Sequence, residues 1–248
     1  MQAEVKGTTM PVLEVSLEAG EQVVSTHGEL SWMTANIRMS QTTGGHGFFS
    51  GLKRVLGGGG LFLTRYEATG GRGMVAFAAK LPGHIMGVDI APGQAFYVHK
   101  DGWLCGTPGI TPSIGLQQTF RGGLWGGEGF LLQKLEGSGR AFVELSGELV
   151  HYNLGPGQTL MVHPGHVGMF EGSVQFTITR VPGIANVLFG EDGFHLVALT
   201  GPGQVWLQSM PLPILAHAIA SYLPQQNVGQ AAAAGGVGGI IGDVLRGG

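Results

Sequence analysis

The sequence has little cysteine, little charge and no basic cluster. Its one cysteine, Cys105, cannot form an intramolecular disulfide, which fits a reducing compartment. Charged residues make up only 12% of the chain, and Lys plus Arg total 13. The densest basic site is Lys53-Arg54. Nucleic-acid binding depends mainly on neutralising phosphates, so we expect no nucleic-acid partner.

Long apolar runs are also missing. No stretch reaches the roughly 18 apolar residues that a transmembrane helix requires. The residues 1–6 (MQAEVK) lack a positively charged start followed by an apolar run, so they do not resemble a signal peptide. We therefore expect no transmembrane segment, and the cytoplasm is the default location.

Glycine, by contrast, is abundant. The 248 residues include 47 glycines, a share well above the average of roughly 7%. Glycine adopts positive φ without steric cost, so this composition favours many tight turns over long helices. The hydrophobic fraction of 43% is enough for a sizeable core. The length allows one large β domain or two small ones.

One sequence unit recurs along the chain. Its clearest copies are IAPGQAFYVH at 90–99 and LGPGQTLMVH at 154–163, with a weaker copy at 17–24 and a fourth echo at 199–206. The preceding segments 60–67 and 129–136 also match each other. Each copy indicates a strand, a tight turn and a second strand, with Gly93 and Gly157 at positive φ. The chain is predicted to contain three degenerate repeats.

Apolar and polar residues alternate with the period of a β-strand in several segments. The apolar members of three such segments are Leu13, Val15 and Leu17; Val150, Tyr152 and Leu154; and Val174, Phe176 and Ile178. Short strands with a turn signal about every ten residues are typical of a sandwich or barrel. We predict one repeat-built β domain over residues 1–210.

The pattern changes after residue 210. Residues 211–223 are predicted to form a short C-terminal helix, with Pro213 in the first turn and Pro224 after the end. Residues 224–248 form a tail rich in glycine and alanine, in which five apolar residues have helical spacing: Val237, Ile240, Ile241, Val244 and Leu245. The intervening glycines oppose a helix. The tail is therefore predicted either to be a disordered linker or to order by docking on the β domain, on a neighbouring subunit or on a protein partner.

Several motifs, taken in order, resemble the family named for altered inheritance of mitochondria protein twenty-four. They are MPVLEV at 10–15, GLKR at 51–54, LPG at 81–83, GEGFLLQ at 127–133, PGH at 164–166 and GPGQVWLQ at 201–208. The resemblance implies an all-β fold like that of the tryptophan RNA-binding attenuation protein, a double-stranded β-helix or barrel-like domain in threefold-repeated form. It implies no catalytic residues, and RNA binding does not follow from the fold.

One group of residues suggests metal chemistry. Pro156-Gly157, His163, His166 and Glu171 resemble the ligand arrangement of cupin metal sites. Two ligands on one strand need an even offset to share a face, but His163 and His166 are three residues apart. Their rings would therefore leave opposite faces unless the turn between them re-aims them. We therefore expect turn or surface histidines here. His99, at the matching place in another copy, is expected to form strand-end hydrogen bonds.

Other candidate residues have structural interpretations. Cys105 is expected to be a small buried hydrophobe. The four tryptophans are expected to be core or interface anchors: Trp32, Trp103, Trp125 and Trp206. Since few charges remain to cover the surface, subunit contacts are expected to bury apolar area.

The sequence thus favours a non-enzymatic, homo-oligomeric scaffold or interaction protein, with no catalytic, cofactor-binding or metal residues assigned. Two alternatives stay open. One is a cupin-like metal-binding enzyme that uses His163, His166 and Glu171. The other is a small-molecule binding module with a cavity between repeats.

Overall fold

The computed structural model describes residues 1–43, 62–118, 130–180, 195–220 and 222, and these are almost entirely β-strand. The first strands are β1 (Gln2–Lys6), β2 (Val12–Leu17), β3 (Gln22–Thr26), β4 (Trp32–Met33), β5 (Ile37–Thr43), β6 (Phe62–Ala68) and β7 (Gly73–Ala78). Then follow β8 (Gly83–Ile90), β9 (Ala95–His99), β10 (Trp103–Gly106), β11 (Ile110–Gln118), β12 (Phe130–Gly137) and β13 (Gly139–Ser146). The last are β14 (Leu149–Leu154), β15 (Thr159–Val162), β16 (Val167–Glu171), β17 (Gln175–Arg180), β18 (His195–Thr200) and β19 (Gly203–Gln208).

The strands form four antiparallel sheets. Their orders are β1-β2-β7-β4, β5-β6-β3-β10-β13-β8, β11-β12-β9-β16-β19-β14 and β15-β18-β17. The predicted all-β class is therefore confirmed. Within the described ranges the sheets remain open at their edges and do not close into a barrel, so that part of the expectation is corrected. A closed barrel would need each edge strand to find a partner.

The strand pairing follows one scheme along the chain. The strand pairs β2–β7, β8–β13 and β14–β19 are antiparallel ladders of the same kind. The three-strand sets β3-β6-β5, β9-β12-β11 and β15-β18-β17 also correspond in order. Strand β10 then joins β3, and β16 joins β9. The three degenerate repeats in the amino-acid sequence stay a prediction.

Alternation decides which side chains enter the core. In β2, Leu13, Val15 and Leu17 are fully buried, while the residues between them are partly exposed. Beside β17, Val174 is buried, and Phe176 and Ile178 pack against the cluster around it. The predicted period-two pattern is confirmed in both places, because one face of each sheet packs on apolar side chains and the other meets solvent.

Two Pro-Gly turns have the predicted backbone. The φ angles of Gly93 and Gly157 are 85° and 76°, in the region that side chains with a Cβ rarely adopt. The amide of Gln94 donates to the Ala91 carbonyl at 2.9 Å, which closes the turn. The Gln94 side-chain oxygen accepts from the Ala91 amide at 3.1 Å, so the turn is tied in both directions.

The same reciprocal pair occurs at the matching turns. Gln158 bonds Gly155 through its backbone amide at 3.0 Å and its side-chain oxygen at 2.7 Å. Glu21 does so with Glu18, at 2.9 Å for both bonds. The fourth echo differs, because Gln204 directs its side chain elsewhere. A Gln or Glu after the turn glycine is thus a structural part of three of the four motifs.

The C-terminal helix α1 spans Leu212–Ala220, with Pro213 in its first turn as predicted. The described residues up to Ile214 belong to one compact unit. The predicted boundaries at 210 and 223 stay a prediction. The tail and its apolar stripe lie outside the described residues. Among the residues that are described, no helix is long and apolar enough to cross a membrane.

Candidate functional site

His163 and His166 lie at a turn after β15. The segment Pro164–His166 forms one 3₁₀ turn, and it brings the two rings to a centroid separation of 5.8 Å. Burial, and secondarily the charge of His166, lower the pKa of His163. The turn therefore brings the two imidazoles together despite their odd spacing in the sequence.

His166 forms a hydrogen bond with the backbone of strand β19. Its Nδ1 lies 2.8 Å from the carbonyl oxygen of Gln208. Because a carbonyl only accepts, Nδ1 carries the hydrogen and donates. The ring is thereby fixed against the end of β19. This role is the strand-end hydrogen bonding that the sequence predicted for His99.

Glu171 does not join the two histidines. Its Oε2 accepts from the Gln204 amide at 2.9 Å, and its Oε1 accepts from the Gln204 side chain at 3.1 Å. The carboxylate thus binds the start of β19 through both oxygens. Within the described part of the chain, no three His, Cys, Asp or Glu side chains are grouped closely enough to hold a metal ion. The geometry gives the cupin-like alternative no third ligand.

His99 has the role that the sequence predicted. Its Nε2 donates to the Glu144 carbonyl at 2.9 Å, at the end of β13. Burial lowers the pKa of His99, so the neutral imidazole is favoured at this position. His99 and His166 therefore perform the same task at two strand ends, although they use different ring nitrogens.

A group of charged side chains surrounds Glu144, whose own side chain is nearly buried. Lys80 contacts it with its ammonium group at 3.4 Å and with its backbone amide at 3.0 Å. The same ammonium group lies 2.7 Å from Glu29 Oε1. Burial raises the pKa of Glu144. Desolvation opposes the charge of Lys80, but the two carboxylates outweigh it and raise the pKa of the lysine. Sequence patterns alone did not identify this cluster.

An uncharged counterpart occurs one sheet further on. The side-chain oxygen of Gln208 accepts from the Ser146 amide at 3.1 Å, as Glu144 accepts from the Lys80 amide. The Gln208 side-chain nitrogen donates to the Gly165 carbonyl at 3.2 Å. Gln208 thus meets the same backbone need without a charge.

The remaining candidate residues are distributed between core and surface. Cys105 is fully buried as a free thiol, and burial raises its pKa well above the ordinary value. Trp103 and Trp206 are buried, as expected of core anchors, whereas Trp32 is 46% exposed. Trp125 lies outside the described residues. A thiol with a raised pKa is a poor nucleophile, so Cys105 is a packing residue.

One open depression has a volume of about 540 Å³. It is lined by the turn residues 92–95 and by Lys134, Glu136, Gly137 and Ser138. Lys134 Nζ and Glu136 Oε2 are 2.5 Å apart, so the lysine and the glutamate neutralise each other. The depression is open to solvent, and its charged lining residues form one ion pair.

The β-strand region matches one known protein family over nearly its whole length. The model of the family described as Mitochondrial biogenesis AIM24 matches residues 3–210. The chain belongs to this family. The match spans the strands from β1 to β19, which confirms the resemblance inferred from the ordered motifs.

Among solved structures, this AIM24-family chain is similar to the crystal structure of protein SPYM3_0169 from Streptococcus pyogenes. The identity is 20%, the TM-score is 0.71, and the alignment covers 90% of this chain and 99% of the other. At that identity the likeness shows the fold alone. No curated protein matches the chain.

The AIM24-family chain also exposes large apolar side chains on its strands. They are Val5, Trp32, Met39, Ile114, Val150, Tyr152 and Met161, all at least 37% exposed. Single exposed apolar residues are ordinary, but Val150 and Tyr152 share one face of a strand at a sheet edge. The sequence placed these two residues on one face but did not predict that they would be exposed.

Proposed function

We propose that this AIM24-family protein is a non-enzymatic, oligomeric scaffold or interaction protein that assembles through its sheet surfaces. The observation that carries the proposal is the pair of exposed apolar residues, Val150 and Tyr152, on the outermost strand of a six-stranded sheet. Apolar side chains at an exposed sheet edge favour association with another chain.

The polar side chains support the same proposal. His99 and His166 donate to backbone carbonyls, and Glu171 accepts from Gln204. These groups therefore stabilise strand ends. A catalytic acid or base needs a free path to substrate, and these hydrogen bonds direct the three side chains toward the protein's own backbone and side chains instead.

Sedimentation analysis over a wide concentration range tests the proposal. We expect a mass above that of one 25.8 kDa chain, with dissociation on dilution. A single-chain mass at every concentration would contradict the homo-oligomeric part. Because few charges cover the surface, assembly should depend only weakly on salt.

The tail provides a separate test for protein partners. We propose that residues 224–248 dock on the β domain, on a neighbouring subunit or on another protein. A chain lacking residues 225–248 should keep the β-sheet circular-dichroism signal but lose partner binding or oligomer stability. An unchanged oligomer and unchanged partner recovery would reject this role.

The location that we propose is the cytoplasm, because the single thiol Cys105 is compatible with a reducing compartment. The family description points to mitochondrial biogenesis, which concerns the family as a whole. Fractionation of cells that express the tagged chain, with separate cytosolic and mitochondrial markers, distinguishes the two locations.

A further inference from the structure

Strand β14 is the last strand of its six-stranded sheet. It pairs with β19 along one side, from Leu149↔Gln208 to Leu154↔Gly203. Among the residues described here, no strand pairs with its other side. This outer edge therefore carries a row of backbone donors and acceptors that another strand can use.

The backbone pattern identifies which groups point outward. The Ser209 amide donates to the Glu148 carbonyl at 3.0 Å, which makes Glu148 and Ser209 a hydrogen-bonded pair. In an antiparallel ladder such pairs alternate with pairs that are not hydrogen-bonded. The amides and carbonyls of Leu149, His151 and Asn153 therefore point away from β19.

An edge of the same kind is already occupied elsewhere in the chain. Strand β2 pairs with β7 as β14 pairs with β19. The other side of β2 is covered by β1, in an antiparallel ladder from Gln2↔Ser16 to Lys6↔Val12. An antiparallel strand thus fits against the outermost strand of this pairing scheme.

The side chains of β14 favour a strand identical to itself. The sequence of β14, LVHYNL, contains no Asp, Glu, Lys or Arg. Val150 and Tyr152 are 45% and 40% exposed and lie on one face. When two such strands run antiparallel about His151, each Val150 lies opposite Tyr152 of the other copy, a β-branched and aromatic pair that stabilises sheets.

The corresponding edge strand β8 has different chemistry. Its Asp89 lies 3.8 Å from Arg140, and its His84 lies 3.5 Å from Glu148. Charged side chains on an edge strand oppose pairing with another chain. Of these two corresponding edge strands, only β14 therefore lacks a charged side chain.

We propose that β14 pairs antiparallel with β14 of a second copy of this chain, centred on His151, to form a continuous sheet across a twofold axis. This inference rests on the proposed oligomeric function and names its interface. His151 then faces His151 of the partner subunit in a hydrogen-bonded pair. The two Val150–Tyr152 pairs lie on either side of that centre.

Disulfide trapping tests the register. In a hydrogen-bonded antiparallel pair the two Cα atoms are about 5.5 Å apart, a distance that a disulfide spans. His151→Cys should therefore give a covalent dimer under mild oxidation, and the native Cys105 is fully buried and should not react. The matched control is Asn153→Cys on the same strand. Its two copies would be about 14 Å apart and should not cross-link.

Charge substitution tests the interface independently. The double variant V150K/Y152K places lysine opposite lysine twice, so dimerisation should weaken by about tenfold or more. The double variant V150K/Y152E removes the same apolar groups but places lysine opposite glutamate, and it should retain the dimer. Met39→Lys, at an equally exposed site on β5, should leave the dimer unchanged.

Each outcome decides between the proposals. Cross-linking of His151→Cys alone, together with loss of the dimer in V150K/Y152K alone, supports the β14 interface. An oligomer that persists in V150K/Y152K while His151→Cys fails to cross-link overturns this interface and leaves the scaffold function standing. A wild-type chain that sediments as a monomer at all concentrations overturns both the β14 interface and the homo-oligomeric part of the proposed function.

Discussion

Lys80 binds the buried carboxylate of Glu144 twice, with its side-chain ammonium group at 3.4 Å and with its backbone amide at 3.0 Å. The two contacts have different physical origins. The ammonium contact depends on charge, whereas the amide contact gives a backbone N–H the hydrogen-bond acceptor that it needs. Gln208, which accepts from the Ser146 amide at 3.1 Å, shows that the second need can be met without charge. Substitutions can therefore separate the two contributions.

Lys80→Met should destabilise the fold by about 1–3 kcal/mol at pH 8, because a buried carboxylate loses its countercharge. Glu144→Gln should lower the free energy of unfolding by less, because the side-chain oxygen of glutamine still accepts from the Lys80 backbone amide. Urea denaturation at constant ionic strength measures both. An equal loss in the two variants would contradict the extra cost of leaving the Glu144 carboxylate buried without its countercharge.

The stability difference between the wild type and Glu144→Gln should depend on pH. Burial raises the folded pKa of Glu144 above its unfolded value of about 4.3. A carboxyl with a raised folded pKa favours the folded state below the unfolded pKa, and that stability is lost as the pH rises through the folded pKa. The wild type should therefore lose stability relative to Glu144→Gln above about pH 4.3.

His99 titrates in both of these proteins, so its contribution largely cancels in the difference. Its own pKa is lowered by burial. Its stabilisation is thus present above the unfolded pKa and is lost as the pH falls through the folded pKa. Urea titrations at intervals from pH 4 to 8 measure the difference. A difference that stays constant over that range would contradict the raised pKa of Glu144.

Gly93→Ala and Gly157→Ala should each cost about 1–2 kcal/mol in the free energy of unfolding. At both sites an added Cβ would meet no atom within 4 Å, so the cost is backbone strain at positive φ and not a clash. The control is Gly155→Ala, since Gly155 lacks a positive φ and alanine already stands at the matching position 91. Thermal and urea denaturation check the ranking. A control as destabilised as the other two would reject strain as the cause.

Gln158→Glu should be nearly neutral, because Glu21 already performs the same bonding at the matching turn. Gln158→Ala should lower the free energy of unfolding by about 0.5–1.5 kcal/mol. The Gly155 amide loses its side-chain acceptor and has only water to bond instead. Chemical denaturation of the two variants beside the wild type gives the comparison. Equal stability of the alanine and glutamate variants would show that the side-chain bond is dispensable.

Addition of one equivalent of Zn²⁺ or Co²⁺ should leave the melting temperature unchanged. His163 and His166 are close, but Glu171 is bonded to Gln204 and supplies no third ligand. Equilibrium dialysis and thermal denaturation measure binding and stability. Stoichiometric binding that His163→Ala abolishes would instead support the metalloenzyme alternative.

The sequence predicted the local elements well where one face of a strand is buried. Leu13, Val15 and Leu17 point into the core because their spacing matches the strand period. Gly93 and Gly157 take positive φ because their turns demand it. The helix at Leu212–Ala220 also follows a local signal, since proline is tolerated in the first turn.

The partners across sheets could not be predicted from the sequence. The odd spacing of His163 and His166 implied opposite faces, but the 3₁₀ turn between them removed the strand alternation on which that argument depended. Glu144 resembled any alternating strand residue until folding placed Lys80 beside it. Such contacts join residues that are distant along the chain.

Composition, turn residues and period-two alternation by themselves determined that this chain is all-β and that its tight turns use glycine. The ordered motifs determined its resemblance to the AIM24 family. Only the tertiary structure decided which strand became an edge, and hence that Val150 and Tyr152 are exposed while Leu13 and Val15 are buried. The physical reason is that alternation fixes the two faces of a strand locally. Whether a face or an edge is covered depends on which other strands pack against it.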